Sequence, residues 1–285
     1  MAIKKSELYS SLWESCDNLR GGMDSSQYKD YILVLLFVKY VSDKLDSELE
    51  YLEIPESATF DAMVKLKGNP EIGDKINKEI VAPLADACGL SVKAMPDFND
   101  STKLGDGEEK VERLTDLIGI FQRPELNFSN NKASGDDLLG DAFEYLMGHF
   151  ATESGKSKGQ FYTPTEVSRI IADVVGIDEF ETKGDTTVYD PTCGSGSLLL
   201  KVAAKADREI ALYGQEKDTS TSILAQMNMF LHNAATAEIV SGNTLANPKF
   251  IENNELKRFD FVVANPPFSD KKWSIGVGIT DDNPD

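Results

Sequence analysis

Residues 186–199 form the stretch TTVYDPTCGSGSLL, around which the carboxyl-terminal half of the chain is organised. Its first four residues, 186–189, are β-branched or aromatic and Asp190-Pro191 ends them, which predicts a short buried strand. A turn with two glycines, 193–196, then leads into an apolar run, 197–204, that predicts a helix. A strand, a glycine turn and a helix in this order can cradle a ligand, because glycine lets the backbone approach closely and a helix N-terminus offers unpaired N–H groups. By itself, such a turn also occurs where no ligand binds.

The alternation of strands and helices continues after this turn, which predicts a doubly wound α/β sheet. Three more strands are predicted at 209–215, 238–240 and 259–264, and a helix is predicted at 219–232. The last strand, FDFVVA, is apolar enough that we expect it to be buried on both faces.

Polar residues stand at the carboxyl ends of these strands. Glu216 ends the second strand, 26 residues after Asp190, where a carboxylate is placed to accept both hydroxyls of a ribose. Gly242-Asn243 follow the third strand, and Asn265-Pro266-Pro267-Phe268 follow the fourth. Because parallel strands have their carboxyl ends at one edge of a sheet, we expect these groups to meet at one crevice.

These motifs, in this order, resemble those of S-adenosylmethionine-dependent DNA adenine-N6 methyltransferases. The stretch Gly159-Gln160-Phe161-Tyr162-Thr163-Pro164-Thr165, which precedes the first strand, is similar to the motif that closes over the cofactor in this group. Together with the helical region before it, the whole resembles the modification (M) subunit of a bacterial type I restriction-modification system. The likeness covers most of the chain, from about residue 5 to residue 275.

The resemblance implies that S-adenosylmethionine is the cofactor and that no metal ion is needed. It implies that Phe161, Tyr162 and Thr163 cover the methionine end, with a hydrogen bond added by Gln160. Asn243 stands where relatives usually carry an aspartate that faces the adenine of the cofactor, so an altered affinity is expected. The residues assigned to the cofactor are Gln160, Phe161, Tyr162, Thr163, Asp190, Thr192, Gly194, Ser195, Gly196, Ser197, Glu216 and Asn243.

Asn265, Pro266, Pro267 and Phe268 are the residues expected at the reacting base. The adenine N6 amine is a poor nucleophile because its lone pair is delocalised into the ring. The side-chain oxygen of Asn265 and the backbone oxygen of Pro266 can accept its hydrogens and draw the lone pair out of conjugation. The two prolines stiffen the turn. Phe268 offers a stacking face, worth about 1–3 kcal/mol, to an adenine flipped out of the duplex.

The composition describes a strongly acidic chain of 285 residues with a net charge of −19, long enough for one or two domains. Both halves are acidic, with 16 basic against 28 acidic residues in 1–150 and 13 against 20 in 151–285. Since DNA affinity rests on a basic surface, we expect another subunit to supply most of the grip on DNA. Three widely spaced cysteines, no long apolar run and no leader-like start predict a cytoplasmic protein without a metal framework or a membrane contact.

The amino-terminal half is predicted to be mainly helical. A long helix is expected from Ser25 or Ser26 towards Leu52, further helices at 71–88, 108–119 and 136–151, and a polar loop at 97–107. The small polar stretch TESGKSK, 152–158, is expected to be a flexible linker. The predicted domains are therefore an all-α domain at 1–152 and a partial methyltransferase domain at 159–285.

The resemblance also implies partners. These are DNA with the target adenine flipped out, a specificity subunit that reads sequence, a restriction subunit, and a second copy of the modification subunit. The chain ends 17 residues after Phe268, and only four of the seven strands expected for the family are predicted. We therefore expect an incomplete Rossmann-like sheet that lacks part of the base pocket and the docking tail.

Two other functions stay open at this point. Asn-Pro-Pro followed by an aromatic residue also occurs in methyltransferases that act on protein glutamine amides, and an acidic chain suits such a target better than it suits DNA. The helical region and Phe161-Tyr162-Thr163 disfavour this function. Alternatively, the chain is a non-catalytic assembly module with a vestigial or incomplete pocket, and its helical domain binds partner subunits.

Overall fold

The computed structural model describes residues 5–18, 20–21, 25–46, 49–126, 138–153, 162–179, 181–267 and 277. Its internal contacts divide the chain into two compact units, Met1–Ser154 and Gly155–Asp285. Gln160, Phe161 and Phe268 lie outside the described residues, and so does most of the stretch predicted as a linker. Within the described part of the chain, no helix has both the length and the apolar character needed to cross a membrane.

The first unit is helical wherever its regular structure is described, as the sequence predicts. Its helices are α1 (Lys5–Asn18), α2 (Ser25–Lys44), α3 (Phe60–Val64), α4 (Ile72–Lys75), α5 (Ala82–Ala87), α6 (Ser101–Leu104), α7 (Gly107–Phe121) and α8 (Leu138–Glu153). A π-helical turn, Ile76–Val81, joins α4 to α5. Short 3-10 turns lie at Glu56–Ala58, Val92–Ala94 and Pro124–Leu126.

Helix α2 forms the centre of the first unit. Every side chain from Tyr31 to Val41 is buried, including that of Lys39, which pairs with Asp43. The Tyr31 hydroxyl donates to the Asp97 carbonyl at 3.0 Å, and the Tyr31 ring packs edge-on against Phe98 with 5.2 Å between ring centroids. A helix that is apolar on all sides is typical of a core position. The burial of α2 therefore organises the helices around it.

Two details of the helical prediction are wrong. Helix α2 ends at Lys44, well before Leu52, because the Leu49 N–H donates to the Lys44 carbonyl at 3.1 Å and the chain turns Leu49 into the core. The predicted loop at 97–107 contains the one-turn helix α6, which Asp100 caps by accepting the Thr102 N–H at 2.9 Å. A single turn is too short to show the apolar period that identifies a helix in a sequence.

The second unit alternates helices and strands. In chain order it contains α9 (Thr165–Val175), a 3-10 turn (Ile177–Glu179), β1 (Thr187–Asp190), α10 (Ser197–Ala203), β2 (Ala211–Glu216), α11 (Thr219–Leu231), β3 (Glu238–Ser241), β4 (Ile251–Glu252), β5 (Glu255–Leu256) and β6 (Phe261–Val262). This alternation confirms the predicted α/β class.

Four strands form a parallel sheet in the order β3-β2-β1-β6. Tyr189 of β1 lies opposite Tyr213 of β2 on one side and opposite Val262 of β6 on the other. The chain winds outward from β1 to β3 and then returns to the far side of β1, so the winding reverses between β1 and β6. In open α/β sheets, ligands bind outside the carboxyl ends of the strands at such a reversal.

The two faces of the sheet are packed by different residues. Val188 and Leu212 belong to an aliphatic core shared with α9, α10 and α11. The alternate residues Tyr189 and Tyr213 point to the opposite face, where their rings pack against Phe259 with centroid distances of 4.5 and 5.1 Å. Since both faces carry apolar side chains, the sheet is anchored well enough to hold its strand ends in place.

The prediction that the fourth strand, 259–264, is buried on both faces is wrong. Only Phe261–Val262 pair as strand β6, and the Val262 side chain is 60 % exposed. In the described sheet β6 has a neighbour on one side only, namely β1, and Val263 is the strand residue that reaches the core. An apolar sequence indicates that a segment favours a strand, but it does not show whether other parts of the protein cover both faces of that strand.

The antiparallel hairpin of β4 and β5 is absent from the sequence prediction. Its turn residues, Asn253 and Asn254, both have positive φ values, 53° and 64°. Two such residues match the twist of a two-residue hairpin, and asparagine tolerates this conformation better than most residues. The pair Asn253-Asn254 was therefore a usable turn signal.

Candidate active site at the carboxyl edge of the sheet

The site begins at the last residue of β1. Asp190 is buried, and its Oδ1 accepts the Thr192 N–H at 2.9 Å. This contact is a local Asx turn, which bends the chain as soon as the strand ends. The Asp190 carboxyl therefore lies inside the protein beneath the turn that follows it.

The glycine turn needs backbone conformations that other residues rarely adopt. Gly194 and Gly196 have φ values of +53° and +79°, in the left-handed region. The Cys193 N–H donates to the Gln215 carbonyl at 3.1 Å, and the Gly196 N–H donates to the Cys193 carbonyl at 2.8 Å. Gly196 is also the N-cap of α10. The turn is thus tied to β2 at one end and to a helix at the other.

The hydroxyl groups of Ser195 and Ser197 lie in the protein interior. Ser195 and Ser197 are both buried, and their Oγ atoms lie 3.0 Å apart within hydrogen-bonding distance of each other. Thr192 is only half-buried. Any contact that the two serines make with a ligand must therefore come from their backbone or follow a change of rotamer.

Glu216 ends β2 and reaches back under the glycine turn. Its Oε2 accepts the Gly194 N–H at 3.0 Å, and its Oε1 accepts the Asp218 N–H at 2.8 Å. Asp218 in turn caps α11 by accepting the Thr221 N–H at 2.8 Å. One carboxylate therefore joins the turn after β1 to the start of the helix after β2.

Two buried carboxyl groups lie close together here. Burial and, to a smaller extent, the neighbouring Glu216 carboxylate raise the pKa of the Asp190 carboxyl to about 7, although the hydrogen bonds from Thr192 oppose the shift. Burial also raises the pKa of Glu216, although backbone hydrogen bonds from Asp218, Gly194 and Lys217 oppose the shift. Burial and these two acids raise the pKa of the Cys193 thiol well above its usual range, so Cys193 is not a thiolate nucleophile.

The raised pKa of Asp190 predicts a pH-dependent stability. An ordinary unfolded aspartate has a pKa of about 3.9, so between about pH 4 and pH 7 the folded chain binds more protons than the unfolded chain and stability falls as pH rises. Asp190→Asn keeps the acceptor for Thr192 and cannot ionise. We expect its free energy of unfolding, relative to that of the natural chain, to rise by about 2 kcal/mol from pH 5 to pH 8.

Denaturant titrations of both proteins at the two pH values measure this difference. Because all other titrating groups are shared, the comparison isolates Asp190 and its coupling to Glu216. A free-energy difference that is the same at pH 5 and pH 8 would contradict the assignment.

The loop after β3 is held against the same edge. The Gln215 side chain is fully buried, and its Nε2 donates to the carbonyls of Gly242 and Asn247 at 3.1 and 3.0 Å. The Thr244 hydroxyl donates to the Pro191 carbonyl at 2.5 Å. These bonds bring the loop that carries Asn243 beside the turn after β1.

Asn243 itself shapes the loop in which it lies. Its Oδ1 accepts the N–H groups of Leu245 and Ala246 at 3.0 and 3.3 Å. The side-chain oxygen is thus engaged within the protein, as is common for asparagine in turns.

The chain after β6 returns to the same edge at the reversal point. The Val263 N–H donates to the Tyr189 carbonyl at 2.9 Å, which places Asn265 beyond the carboxyl end of β1. The Asn265 Nδ2 donates to the Thr163 Oγ1 at 3.4 Å across 102 residues of sequence. Asn265 and Pro267 are half-buried, and Pro266 is exposed. The structure therefore brings together two motifs that are far apart in the chain.

Tyr162 and Thr163 lie directly before α9 and are half-buried. The Tyr162 hydroxyl lies 3.2 Å from the Thr165 Oγ1, and the Thr163 carbonyl accepts from the Ser168 Oγ at 3.4 Å. These local bonds hold the segment next to Asn265.

Sequence reasoning missed three polar residues that hold the site: Gln215, Asn228 and Thr244. Gln215 ends an apolar strand pattern, and Asn228 lies within the apolar helix sequence ILAQMNMFL. Uncharged polar residues inside apolar elements are a usable signal, because a buried amide must find hydrogen-bond partners. Thr244 gave no such signal.

Two family models and several relatives match this chain, and the relatives are named as methylase subunits of type I restriction enzymes. The model of the family described as N-6 DNA Methylase matches residues 134–284, and that described as the HsdM N-terminal domain matches residues 8–121. The MpnII methylase subunit of a type I restriction enzyme from Mycoplasma pneumoniae is 30 % identical, over 93 % of this chain and 59 % of its own length. The MjaVIII methylase subunit from Methanocaldococcus jannaschii is also 30 % identical, over 94 % of this chain and 49 % of its own length.

A solved structure agrees with these sequences. The methyltransferase subunit of a type I restriction-modification system from Streptococcus thermophilus superposes with a TM-score of 0.76 at 28 % identity, over 93 % of this chain and 64 % of that one. The chain thus spans about half the length of its curated relatives. Because the N-6 DNA methylase model matches more than half of the 285 residues, the chain belongs to the N-6 DNA methylase family.

Proposed function

We propose that this chain transfers a methyl group from S-adenosylmethionine to the N6 amine of adenine in DNA, as the modification subunit of a type I restriction-modification complex. One observation carries the proposal. Asn265 lies beyond the carboxyl end of β1, where the winding of the sheet reverses, and its amide contacts Thr163 of the segment before α9. An acceptor for an amine and a segment able to cover a cofactor thus lie at the edge where α/β sheets bind ligands.

The residues present suit the cofactor. Glu216 ends β2, and its oxygens accept the N–H groups of Gly194 and Asp218. A carboxylate has about four acceptor positions, and we assign the ribose hydroxyls to those that the backbone donors leave. S-adenosylmethionine would supply a methyl group on a positively charged sulfur. We assign its ribose to Glu216, its adenine to Asn243, and its methionine end to Gln160, Phe161, Tyr162 and Thr163.

The remaining contacts to the cofactor are assigned to the turn after β1. Gly194 and Gly196 have positive φ values, and a Cβ atom on Gly196 would clash with the Met229 side chain of α11, so the turn needs glycine to adopt this shape. The assigned residues are Asp190, Thr192, Gly194, Ser195, Gly196 and Ser197.

Asn265, Pro266, Pro267 and Phe268 are assigned to the target base. With its Nδ2 donating to Thr163, the Asn265 amide turns Oδ1 away from Thr163 as an acceptor for the N6 amine. Pro266 adds a backbone carbonyl, and neither proline has an N–H that would compete for it. We assign the stacking of the flipped base to Phe268.

We propose that the domains follow the predicted limits, 1–152 and 159–285, and that the partners are DNA, a specificity subunit, a restriction subunit and a second modification subunit. The net charge of −19 supports a partner that supplies positive charge to the DNA interface.

The test is a methyl-transfer assay at physiological ionic strength, which screens the repulsion between the acidic chain and DNA, with the specificity subunit present to supply positive charge at the DNA interface. The chain is incubated with S-adenosylmethionine and a duplex that contains unmodified adenine, and the nucleosides are analysed by mass spectrometry. We expect N6-methyladenine, and none from a matched duplex whose adenines already carry the methyl group. Methylglutamine in an added protein, or cofactor binding without transfer to any acceptor, would overturn the proposal in favour of the other two functions.

A further inference from the structure

We infer that Asn228 is a positioning residue that holds the glycine turn, 193–197, in the shape that receives the cofactor. The inference rests on the proposed function, since it names a further residue of the same site. Asn228 lies on α11, and its side-chain amide donates to the backbone of the glycine turn. Its role is to act through the backbone of Ser195.

The geometry of Asn228 is specific to this turn. Its side chain is fully buried, and its Nδ2 donates to the Ser195 carbonyl at 3.0 Å, across 33 residues of sequence. Ser195 lies between the two glycines with positive φ, which are the residues of the turn with the greatest backbone freedom. The hydrogen bond from Asn228 therefore restricts the backbone in the part of the turn that would otherwise be most flexible.

The other hydrogen bonds of the turn involve different groups and do not use the Ser195 carbonyl, which accepts from Asn228. Cys193 and Gly196 are fixed through their N–H groups, and Gly194 donates to Glu216. Glu216 is also the residue assigned to the ribose. Asn228 is therefore an anchor whose side chain has no assigned contact with the cofactor itself.

The second polar atom of Asn228 indicates that stability alone does not explain the residue. Its Oδ1 is buried and has no hydrogen-bond partner among the residues that the structure describes. A buried polar atom without a partner is unfavourable, so it offsets part of the stability that the bond to Ser195 contributes. We therefore expect that the amide of Asn228 serves to hold the Ser195 backbone in position.

Helix α11 offers a matched residue for comparison. Gln226 lies two positions earlier, and its Nε2 donates to the Ile239 carbonyl at 2.7 Å. Its Oε1 is likewise buried without a partner in the described part of the chain. The two amides differ in what they hold: Gln226 bonds strand β3, and Asn228 bonds the glycine turn.

The experiment compares Asn228→Leu with Gln226→Leu in the full chain. Calorimetric titration measures S-adenosylmethionine affinity, and thermal unfolding measures stability. We expect similar changes in Tm, a loss of affinity of about tenfold for Asn228→Leu, and a change within about twofold for Gln226→Leu. Equal losses of affinity in the two variants would overturn the inference.

A second variant covers the case in which Asn228→Leu does not fold. Asn228→Asp keeps the shape, and the introduced carboxyl can donate to the Ser195 carbonyl only when it is protonated. Burial favours the protonated form, so we expect affinity close to that of the natural chain at pH 6 and a loss at pH 9, each measured against the natural chain at the same pH. A ratio that does not change with pH would contradict the anchor.

Hydrogen exchange separates this inference from the proposed function. Faster exchange of the backbone amides of residues 194–197 is expected in Asn228→Leu but not in Gln226→Leu, whether or not a cofactor is present. If the natural chain binds no S-adenosylmethionine, the proposed function fails, and the exchange rates still decide whether Asn228 anchors the turn. Unchanged exchange in Asn228→Leu would refute the anchor.

Discussion

Asn265→Ala is expected to lower the rate of methyl transfer to DNA by at least about 100-fold while S-adenosylmethionine affinity stays within about twofold. The reason is that the Asn265 Oδ1 is assigned to the N6 amine as its charge develops, whereas the ribose and adenine of the cofactor are assigned to Glu216 and Asn243. An interaction made mainly in the transition state affects kcat and leaves ground-state binding of the cofactor unchanged.

Single-turnover kinetics with labelled S-adenosylmethionine measures the transfer step, and calorimetry measures the affinity. Asn247→Ala is the matched control, because the Asn247 side chain is exposed and only its backbone carbonyl contacts Gln215. We expect this control to keep both quantities. An Asn265→Ala variant that binds cofactor normally and transfers at the natural rate would remove Asn265 from the reaction.

The second large effect is expected at Glu216. Glu216→Ala removes the acceptor assigned to two ribose hydroxyls, and hydrogen bonds to a charged group contribute about 1.5–3 kcal/mol each. Together they predict a loss of S-adenosylmethionine affinity of at least about 100-fold. The variant also leaves the N–H groups of Gly194 and Asp218 without their acceptor, which loosens the turn and adds to the loss.

Calorimetric titration at pH 8 measures this loss, and thermal unfolding checks that the variant is folded. Because the N–H groups of Gly194 and Asp218 lose their acceptor, we expect a lower Tm but a cooperative unfolding transition. Glu238→Ala, which removes an exposed carboxylate at the start of β3, is the control and should bind as the natural chain does. Retained affinity in Glu216→Ala would place the ribose elsewhere.

The elements of the second unit were largely predictable because local patterns determine them. Strand β2 was expected to end on Glu216 and does so, and α10 and α11 begin at Ser197 and Thr219 as expected. Turn glycines, apolar runs and capping residues act over a few residues, so they are visible in a linear sequence. The hairpin of β4 and β5 had such a signal in Asn253-Asn254, and the prediction overlooked it.

Prediction was weaker wherever burial depends on distant neighbours. The sequence predicts a helix from Ser25 or Ser26, but only the structure shows that every side chain from Tyr31 to Val41 is buried. The fourth strand was expected to be covered on both faces, but Val262 is exposed. In both cases the local sequence shows which secondary structure is preferred, whereas burial depends on the other elements that pack against it.

By itself, the sequence determined the α/β class, the polar residues at the strand ends and the likeness to DNA adenine methyltransferases, because strand propensity, turn chemistry and motif order are all local. Only the tertiary structure decided which of those residues meet. It placed Asn265 beside Thr163, 102 residues apart in the sequence, and buried Asp190 near Glu216. It also placed the Asn228 amide where it donates to the Ser195 carbonyl. Hydrogen bonds and pKa shifts depend on distances of a few ångströms, and those distances exist only after the sheet has brought its strand ends to one edge.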